Sequence, residues 1–138
     1  MNKVLSLLAC ALLPLQAIAE PVIYYCNIFT QLPGAPDSPV FRFEVEGSNA
    51  ILTYTYRARP GEEPQNFKLL LQVLNDSDRS LVLGKLTEGN EQRAPRYDVW
   101  VLDKQNMHLR SEVTRATDQG RQQQRSGTCI IDVYREKE

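Results

Sequence analysis

The sequence has few of the residues from which metal centres and common catalytic sites are built. It contains one histidine, His108, and three cysteines, one of which lies in the first twenty residues. A structural zinc site takes four Cys or His ligands, and too few are present here. His108 is predicted to point to solvent, and no nucleophile is marked beside it. We therefore expect no metal, no cofactor and no catalytic residues.

A surplus of charge of either sign is also missing. Sixteen Lys and Arg residues are set against 17 Asp and Glu residues, and the formal net charge at pH 7 is −1. Proteins that bind nucleic acid normally carry a basic surplus on one face, and helices that bind membrane surfaces are rich in Lys and Arg. The sequence has neither pattern and no glycine-rich phosphate-binding motif, so we expect no nucleic-acid partner.

The first nineteen residues have the pattern of an export signal. Lys3 precedes an apolar run over residues 4–15, and Ala17-Ile18-Ala19 matches the small-x-small site that a signal peptidase cuts. The run is about a dozen residues long, whereas a membrane-spanning helix needs roughly 20. We predict a signal peptide over residues 1–19 and a mature domain over 20–138, in the periplasm or secreted, with no membrane insertion after signal removal.

Cys10 allows a second interpretation of this segment. Leu7-Leu8-Ala9-Cys10 has the form of a lipoprotein cleavage box, in which Cys10 would become the lipidated first residue. That cleavage would leave a very short signal and an apolar leader, residues 11–19, on the mature chain. We therefore favour cleavage before Glu20.

Cleavage before Glu20 leaves two cysteines, Cys26 and Cys129. An even number of cysteines in an exported chain favours a disulfide, although two unpaired buried thiols are the alternative. Closing a loop of about 100 residues stabilises a fold by up to roughly 4 to 5 kcal/mol in the chain-entropy model. We predict a Cys26–Cys129 disulfide that ties the first predicted strand to the last.

Alternation of apolar and polar residues predicts strands in the mature chain. Over residues 40–46, Phe41 and Phe43 share one face and the charged residues share the other. Residues 107–114 repeat the pattern, with Met107 inward and His108 outward. Further strands, rich in β-branched and aromatic residues, are predicted over residues 22–28, 50–58, 80–86, 97–102 and 128–134.

Residues 67–74 fit a helical stripe and a strand face equally well. Because a turn signal follows at residues 75–78, we favour a hairpin with the next strand. The connections at residues 31–39, 59–66 and 115–127 are long and polar, and residues 118–125 are predicted to be a solvated, flexible hairpin tip. Seven or eight short strands without a strong helix predict an all-β fold, a single small antiparallel barrel or sandwich closed by the disulfide.

The strand around Tyr97 leaves two alternatives for its aromatic residues. If Tyr97, Val99 and Val101 face the core, Trp100 is partly exposed and is a candidate anchor for a partner protein. If the fold is a barrel that buries Trp100, then Tyr97 is exposed instead.

Several features resemble the small periplasmic inhibitors of c-type lysozyme. These are Tyr24-Tyr25-Cys26, the stretch from Ala94 to Trp100, and the late Cys129, in that order along the chain. The resemblance implies an eight-stranded barrel and a loop that enters the lysozyme active cleft, followed by a tryptophan strand and a lysine. The corresponding partner-binding residues are Ala94, Arg96, Tyr97, Trp100 and Lys104. Where the family has a Ser-Gly pair, this sequence has Glu91-Gln92-Arg93.

Two hypotheses for function follow from the sequence. The first is a protein that is not an enzyme and binds another protein, either as an inhibitor of a cell-wall-degrading enzyme such as lysozyme or as an immunity protein against a delivered toxin. The second is a lipocalin-like carrier of a small apolar ligand inside the barrel. Bulky inward residues such as Phe41, Phe43 and Tyr54 favour a filled interior and therefore the first hypothesis.

Overall fold

The computed structural model describes residues 20–29, 40–56, 59, 61–115 and 123–132. Within them the chain forms eight strands: β1 Val22–Phe29, β2 Val40–Glu46, β3 Asn49–Tyr56, β4 Gln65–Asp76, β5 Ser80–Thr87, β6 Arg96–Asp103, β7 His108–Arg115 and β8 Gln123–Ile131. Each strand pairs with the next in an antiparallel manner, and β1 pairs with β8, so that the sheet closes into a barrel. The predicted all-β antiparallel fold is confirmed, and it is a barrel. The predicted signal peptide lies outside the described residues.

The period-two pattern determines which side chains enter the barrel. On β2, Phe41, Phe43 and Val45 are buried, whereas Arg42 and Glu44 lie on the outer face and form an ion pair of 2.7 Å. The same alternation on all eight strands assembles one core. Its buried members are Tyr24, Cys26, Ile28, Phe41, Phe43, Val45, Ala50, Leu52, Leu71, Leu81, Leu83, Trp100, Leu102, Leu109 and Cys129.

The seam between β1 and β8 closes the barrel and carries the disulfide. Cys26 and Cys129 lie directly opposite each other in the register of these strands and are bonded, as predicted. Two residues earlier on β8, a Cβ on Gly127 would lie 2.9 Å from Ile28 Cα and 2.8 Å from the carbonyl carbon of Asn27. The backbones approach so closely here that glycine is required.

Several strand boundaries differ from the prediction. Residues 67–74 belong to a strand, β4, which pairs with β5 across a bulge between Val73 and Asn75, so the favoured hairpin is confirmed. Met107 is a half-buried turn residue with a φ of 55°, and β7 begins after it. β8 begins at Gln123 rather than residue 128, so the predicted flexible tip is wrong for residues 123–125. The rest of that tip, residues 118–122, lies outside the described residues, as do 57–58 and 133–134.

The two ends of the barrel differ in the length of their connections. The β2–β3, β4–β5 and β6–β7 connections have two to four residues and share one end, which we call the hairpin end. The connections at residues 30–39, 57–64, 88–95 and 116–122 have seven to ten residues, and antiparallel order places all four at the opposite end, the loop end. In the described part of the chain, no helix is long and apolar enough to cross a membrane.

Candidate functional site

The loop between β5 and β6, residues 88–95, is the long connection at the loop end that the structure describes in full. Its tip is a tight turn in which the Asn90 amide donates to the Arg93 carbonyl oxygen at 2.8 Å. The Asn90 side-chain oxygen accepts from the amides of Gln92 at 2.9 Å and Arg93 at 2.8 Å. Asn side chains commonly fix turns in this way. The turn therefore fixes the backbone from which the exposed side chains of Glu91, Gln92 and Arg93 project.

The base of this loop is narrowed by a glycine. A Cβ on Gly89 would lie 2.7 Å from Pro95 Cδ and 2.8 Å from the Arg93 carbonyl oxygen. Glycine thus lets the two arms of the loop touch, and the ring of Pro95 stiffens one of them. A loop held at its base and its tip loses little conformational entropy when it binds a partner.

Below the loop, the inside of the barrel becomes polar. Asp98 is 5% exposed and faces inward. Arg96 Nε donates to Asp98 Oδ2 at 2.8 Å, and Arg96 Nη2 donates to Oδ1 at 2.6 Å. Ser111 is the other buried polar side chain of the described residues. The ion pair neutralises the buried carboxylate at the start of β6, directly after the loop.

The opposite wall of the loop end is aromatic. The Tyr54 ring stacks between Phe41 and Phe67, with ring centroids 4.8 and 5.0 Å away. Burial raises the pKa of Tyr54; the charge of Arg96 lowers it and that of Asp98 raises it by smaller amounts. Tyr54 therefore lies within electrostatic range of the Arg96–Asp98 ion pair.

An open groove lies on the outside of β1–β4 at the same end. Its volume is about 670 Å³, and its lining includes Tyr25, Arg42, Thr53 and Lys68, which are consecutive neighbours across the four strands. Arg42 is ion-paired with Glu44, which leaves Lys68 as the cation without an ion pair among the described lining residues. The groove adds hydroxyl and cationic groups to the surface available at the loop end.

The centre of the barrel is filled. The internal cavity has a volume of about 10 Å³ available to the centre of a water-sized sphere. That is at or below the volume one water molecule needs. Eight core side chains line it: Tyr24, Cys26, Phe43, Leu81, Leu83, Trp100, Leu102 and Leu109. A cavity of this size cannot hold a small apolar ligand.

The five partner-binding residues expected from the resemblance do not come together on one surface. Ala94 is half-buried at the loop base, and Arg96 is committed to Asp98 inside the barrel. Tyr97 is on the outer wall and 38% exposed. Lys104 follows the far end of β6, and the seven strand residues between it and Arg96 separate the two by roughly 27 Å. Ala94 and Arg96 therefore belong to the loop end, and Lys104 to the hairpin end.

The first of the two alternatives for β6, in which Trp100 is partly exposed, is wrong. Trp100 is 7% exposed, and its ring meets Phe43 edge-on with centroids 6.3 Å apart. Tyr97 is exposed instead. The inner face of β6 consists of Asp98, Trp100 and Leu102, and it tolerates a carboxylate because Arg96 neutralises it. Trp100 accordingly packs the core and offers no outer surface as an anchor.

Lys104 is part of a polar cluster at the hairpin end. Its Nζ donates to Asp76 Oδ1 at 2.5 Å and lies beside the buried Tyr24. Burial by itself would lower the pKa of Lys104, but the hydrogen bond to Asp76 and the charges of Tyr24 and Asp76 raise it overall. The cluster joins β1, β4 and the end of β6.

Some features of this site were predicted from the sequence and others were not. His108 is exposed, as expected. The described residues contain no group of three or more His, Cys, Asp or Glu side chains placed to hold a metal ion. The loop from Thr87 to Arg96, which contains Gly89, was expected to carry the partner contact; Asp98 and the Tyr54 stack were not expected as parts of a site. Comparisons of the chain with known protein families, with curated proteins and with solved structures find no match.

Proposed function

We propose that this chain is an exported protein that acts by binding another protein through the loop end of its barrel. The observation that carries the proposal is the β5–β6 loop, held by Asn90 at its tip and by Gly89 against Pro95 at its base. Recognition by loops on a rigid scaffold is a common arrangement. The predicted export signal and the disulfide of the fold support a place outside the cytoplasm.

The partner we propose is a cell-wall-degrading enzyme of the lysozyme type, with a delivered toxin as the second partner class. This step rests on the resemblance in the order of sequence features and on the position of residues 88–95 at an end of the barrel. The exposed tip, Glu91 to Arg93, is the part of the loop that would enter a cleft. The carrier hypothesis has less support, because the core cavity is too small for a ligand.

The test measures lysis of cell walls by c-type lysozyme with and without the purified protein. We expect inhibition by the wild type, and at least a tenfold weaker effect when Glu91, Gln92 and Arg93 are all replaced by Ala, a loss typical of interface centres. Gln105→Ala, at the tip of the β6–β7 connection, is the matched control at the other end. Unchanged lysis at high excess of wild type would remove the lysozyme proposal.

A direct binding experiment tests which surface of the protein binds a partner, independently of which class of protein the partner belongs to. The protein is used as bait in a periplasmic extract, beside the triple loop variant and Gln105→Ala. Capture of a protein by the wild type and the control but not by the loop variant supports the loop end. Equal capture by all three would contradict the assignment of the surface.

A further inference from the structure

The outer wall of β4, β5 and β6 is apolar, which is unusual for a barrel face in contact with water. Leu70 is 62% exposed, Leu86 64%, Leu74 47% and Tyr97 38%. Between them lie further outward residues of β5 and β6 that carry no charge. We call this surface the apolar wall, and its residues are Leu70, Gln72, Leu74, Val82, Gly84, Leu86, Tyr97, Val99 and Val101.

The apolar wall has a glycine, Gly84, at its centre, and the neighbouring side chains fill the space above it. Gly84 faces outward, yet it is buried, because Leu74 and Tyr97 lean over it from the neighbouring strands. A Cβ at this position would lie 2.8 Å from Leu74 Cδ1 and 2.9 Å from the Tyr97 hydroxyl. The two side chains fill the space, so that the three strands present one continuous surface.

Elsewhere on the outer wall, exposed large apolar residues include Val40 on β2 at 53% and Ile130 on β8 at 67%, on strands that do not pair with each other. The other outward residues of β2 are Arg42, Glu44 and Glu46, and those of β7 include Arg110 and Glu112. Leu70, Leu74, Leu86 and Tyr97 by contrast lie together on three adjacent strands, and the charged residues of β7 border them on one side. Concentrated patches of this kind mark interaction sites more often than scattered exposed residues do.

We propose that the apolar wall is the contact between two copies of this chain, related by a two-fold axis that runs along β5. Such an axis places β5 over β5 and β4 over β6 of the partner copy. Leu86 then faces Leu86, and Leu70 faces Tyr97. Every outward residue of the wall meets an uncharged residue, which is the self-complementarity that a two-fold interface requires. Packing of two sheets face to face about 10 Å apart accommodates these side chains.

Charge favours a second copy as the occupant. The wall contains no charged side chain, so its partner loses least by also being uncharged, because burying an unpaired charge is costly. The net charge of −1 produces little repulsion between copies. A second copy of the chain carries the same uncharged surface, so no other protein is needed to cover the wall.

The area of the wall determines how strong the dimer is. Three strands about 4.8 Å apart and about five residues long outline roughly 250 Å² in projection. A standard stable interface buries about 800 Å² on each partner. We therefore expect a weak, reversible dimer that forms only at high protein concentration.

The test is sedimentation equilibrium of the purified protein from about 5 µM to about 1 mM, a range that spans weak interfaces. Leu86→Lys and Leu86→Glu place like charges opposite each other and should each weaken the dimer at least about tenfold. An equimolar mixture of the two variants should regain association, since Lys then faces Glu. Ile130→Lys, which changes a 67% exposed residue on the outer face of β8, is the matched control and should dimerise like the wild type.

Circular dichroism and thermal melts of each variant establish that the barrel is intact. Weakened association of both Leu86 variants, with recovery on mixing, supports the proposed axis. A wild type that stays monomeric at about 1 mM overturns the proposal and leaves the wall to a different protein partner. Association of Leu86→Lys equal to that of the wild type overturns it as well.

Discussion

Arg96 and Asp98 lie two residues apart on β6, and the guanidinium of one holds both carboxylate oxygens of the other inside the barrel. The two shortest of these contacts are 2.6 and 2.8 Å. The side chain of Asp98 is 7% exposed and that of Arg96 is 43% exposed. The carboxylate therefore depends on Arg96 for its charge compensation, whereas water also reaches the guanidinium.

Asp98→Asn is expected to lower the free energy of unfolding by about 1 to 3 kcal/mol, because it removes the paired hydrogen bonds between the Arg96 guanidinium and the buried carboxylate. Urea unfolding followed by tryptophan fluorescence measures the change. Replacing both partners, Arg96→Met with Asp98→Leu, should recover part of the loss, since well-packed apolar pairs substitute for buried ion pairs. Equal losses in the single and double variants would contradict this account.

Reduction of the Cys26–Cys129 disulfide is expected to destabilise the barrel by about 2 to 5 kcal/mol, since the bridge closes a long loop in the unfolded chain. The sequence separation of the two cysteines is 103 residues. Six residue pairs join β1 and β8, so the reduced barrel should still fold in the absence of denaturant. Urea midpoints of oxidised and reduced protein, with thiol counts, test both parts. Coinciding midpoints would show that the bridge adds nothing.

Gly127→Ala is expected to cost about 1 to 3 kcal/mol, because the added methyl group meets the backbone of Asn27 and Ile28 and forces β1 and β8 apart. Gly84→Ala is the matched control. Its methyl group meets the ends of the Leu74 and Tyr97 side chains, which can rotate away, and the expected cost is below about 1 kcal/mol. Thermal unfolding of both variants compares the two sites directly. The reverse order of stability would refute the close approach at the seam.

Local alternation was sufficient to predict some strands and insufficient for others. The predicted bounds of β2, residues 40–46, are those of the structure, since its polar residues are charged and its apolar residues are large. The start of β8 was missed because residues 123–126 are all polar. Their backbones pair with β7, and at the loop end the inside of the barrel does not require apolar side chains.

The inward face of β6 is determined by its neighbours rather than by its own sequence. Both faces carry apolar residues, so alternation alone allows either orientation. Trp100 is paired with Leu83 on β5 and Ser111 on β7, in a register that points all three inward. That register is a property of the whole barrel. It buries Trp100, and the length of β6 carries Lys104 to the hairpin end, so these two of the five expected partner-binding residues do not form a surface at the loop end.

Alkaline pH is expected to weaken the hairpin end through Tyr24 and Lys104. Burial raises the pKa of Tyr24; by smaller amounts, Lys104 lowers this pKa and Asp76 raises it. The pKa of Lys104 is raised overall despite its burial. Both groups hold their protons more tightly in the folded chain, so their stabilisation is complete below about pH 10 and is lost as the pH rises through the folded pKa values. Urea unfolding between about pH 7 and 11 should show this decline, and Tyr24→Phe should make it shallower.

Tyr56→Phe, at a residue that is 43% exposed, is the control and should leave the decline as it is in the wild type. If Tyr24→Phe declines as steeply as Tyr56→Phe, the loss of stability does not arise from proton release by Tyr24.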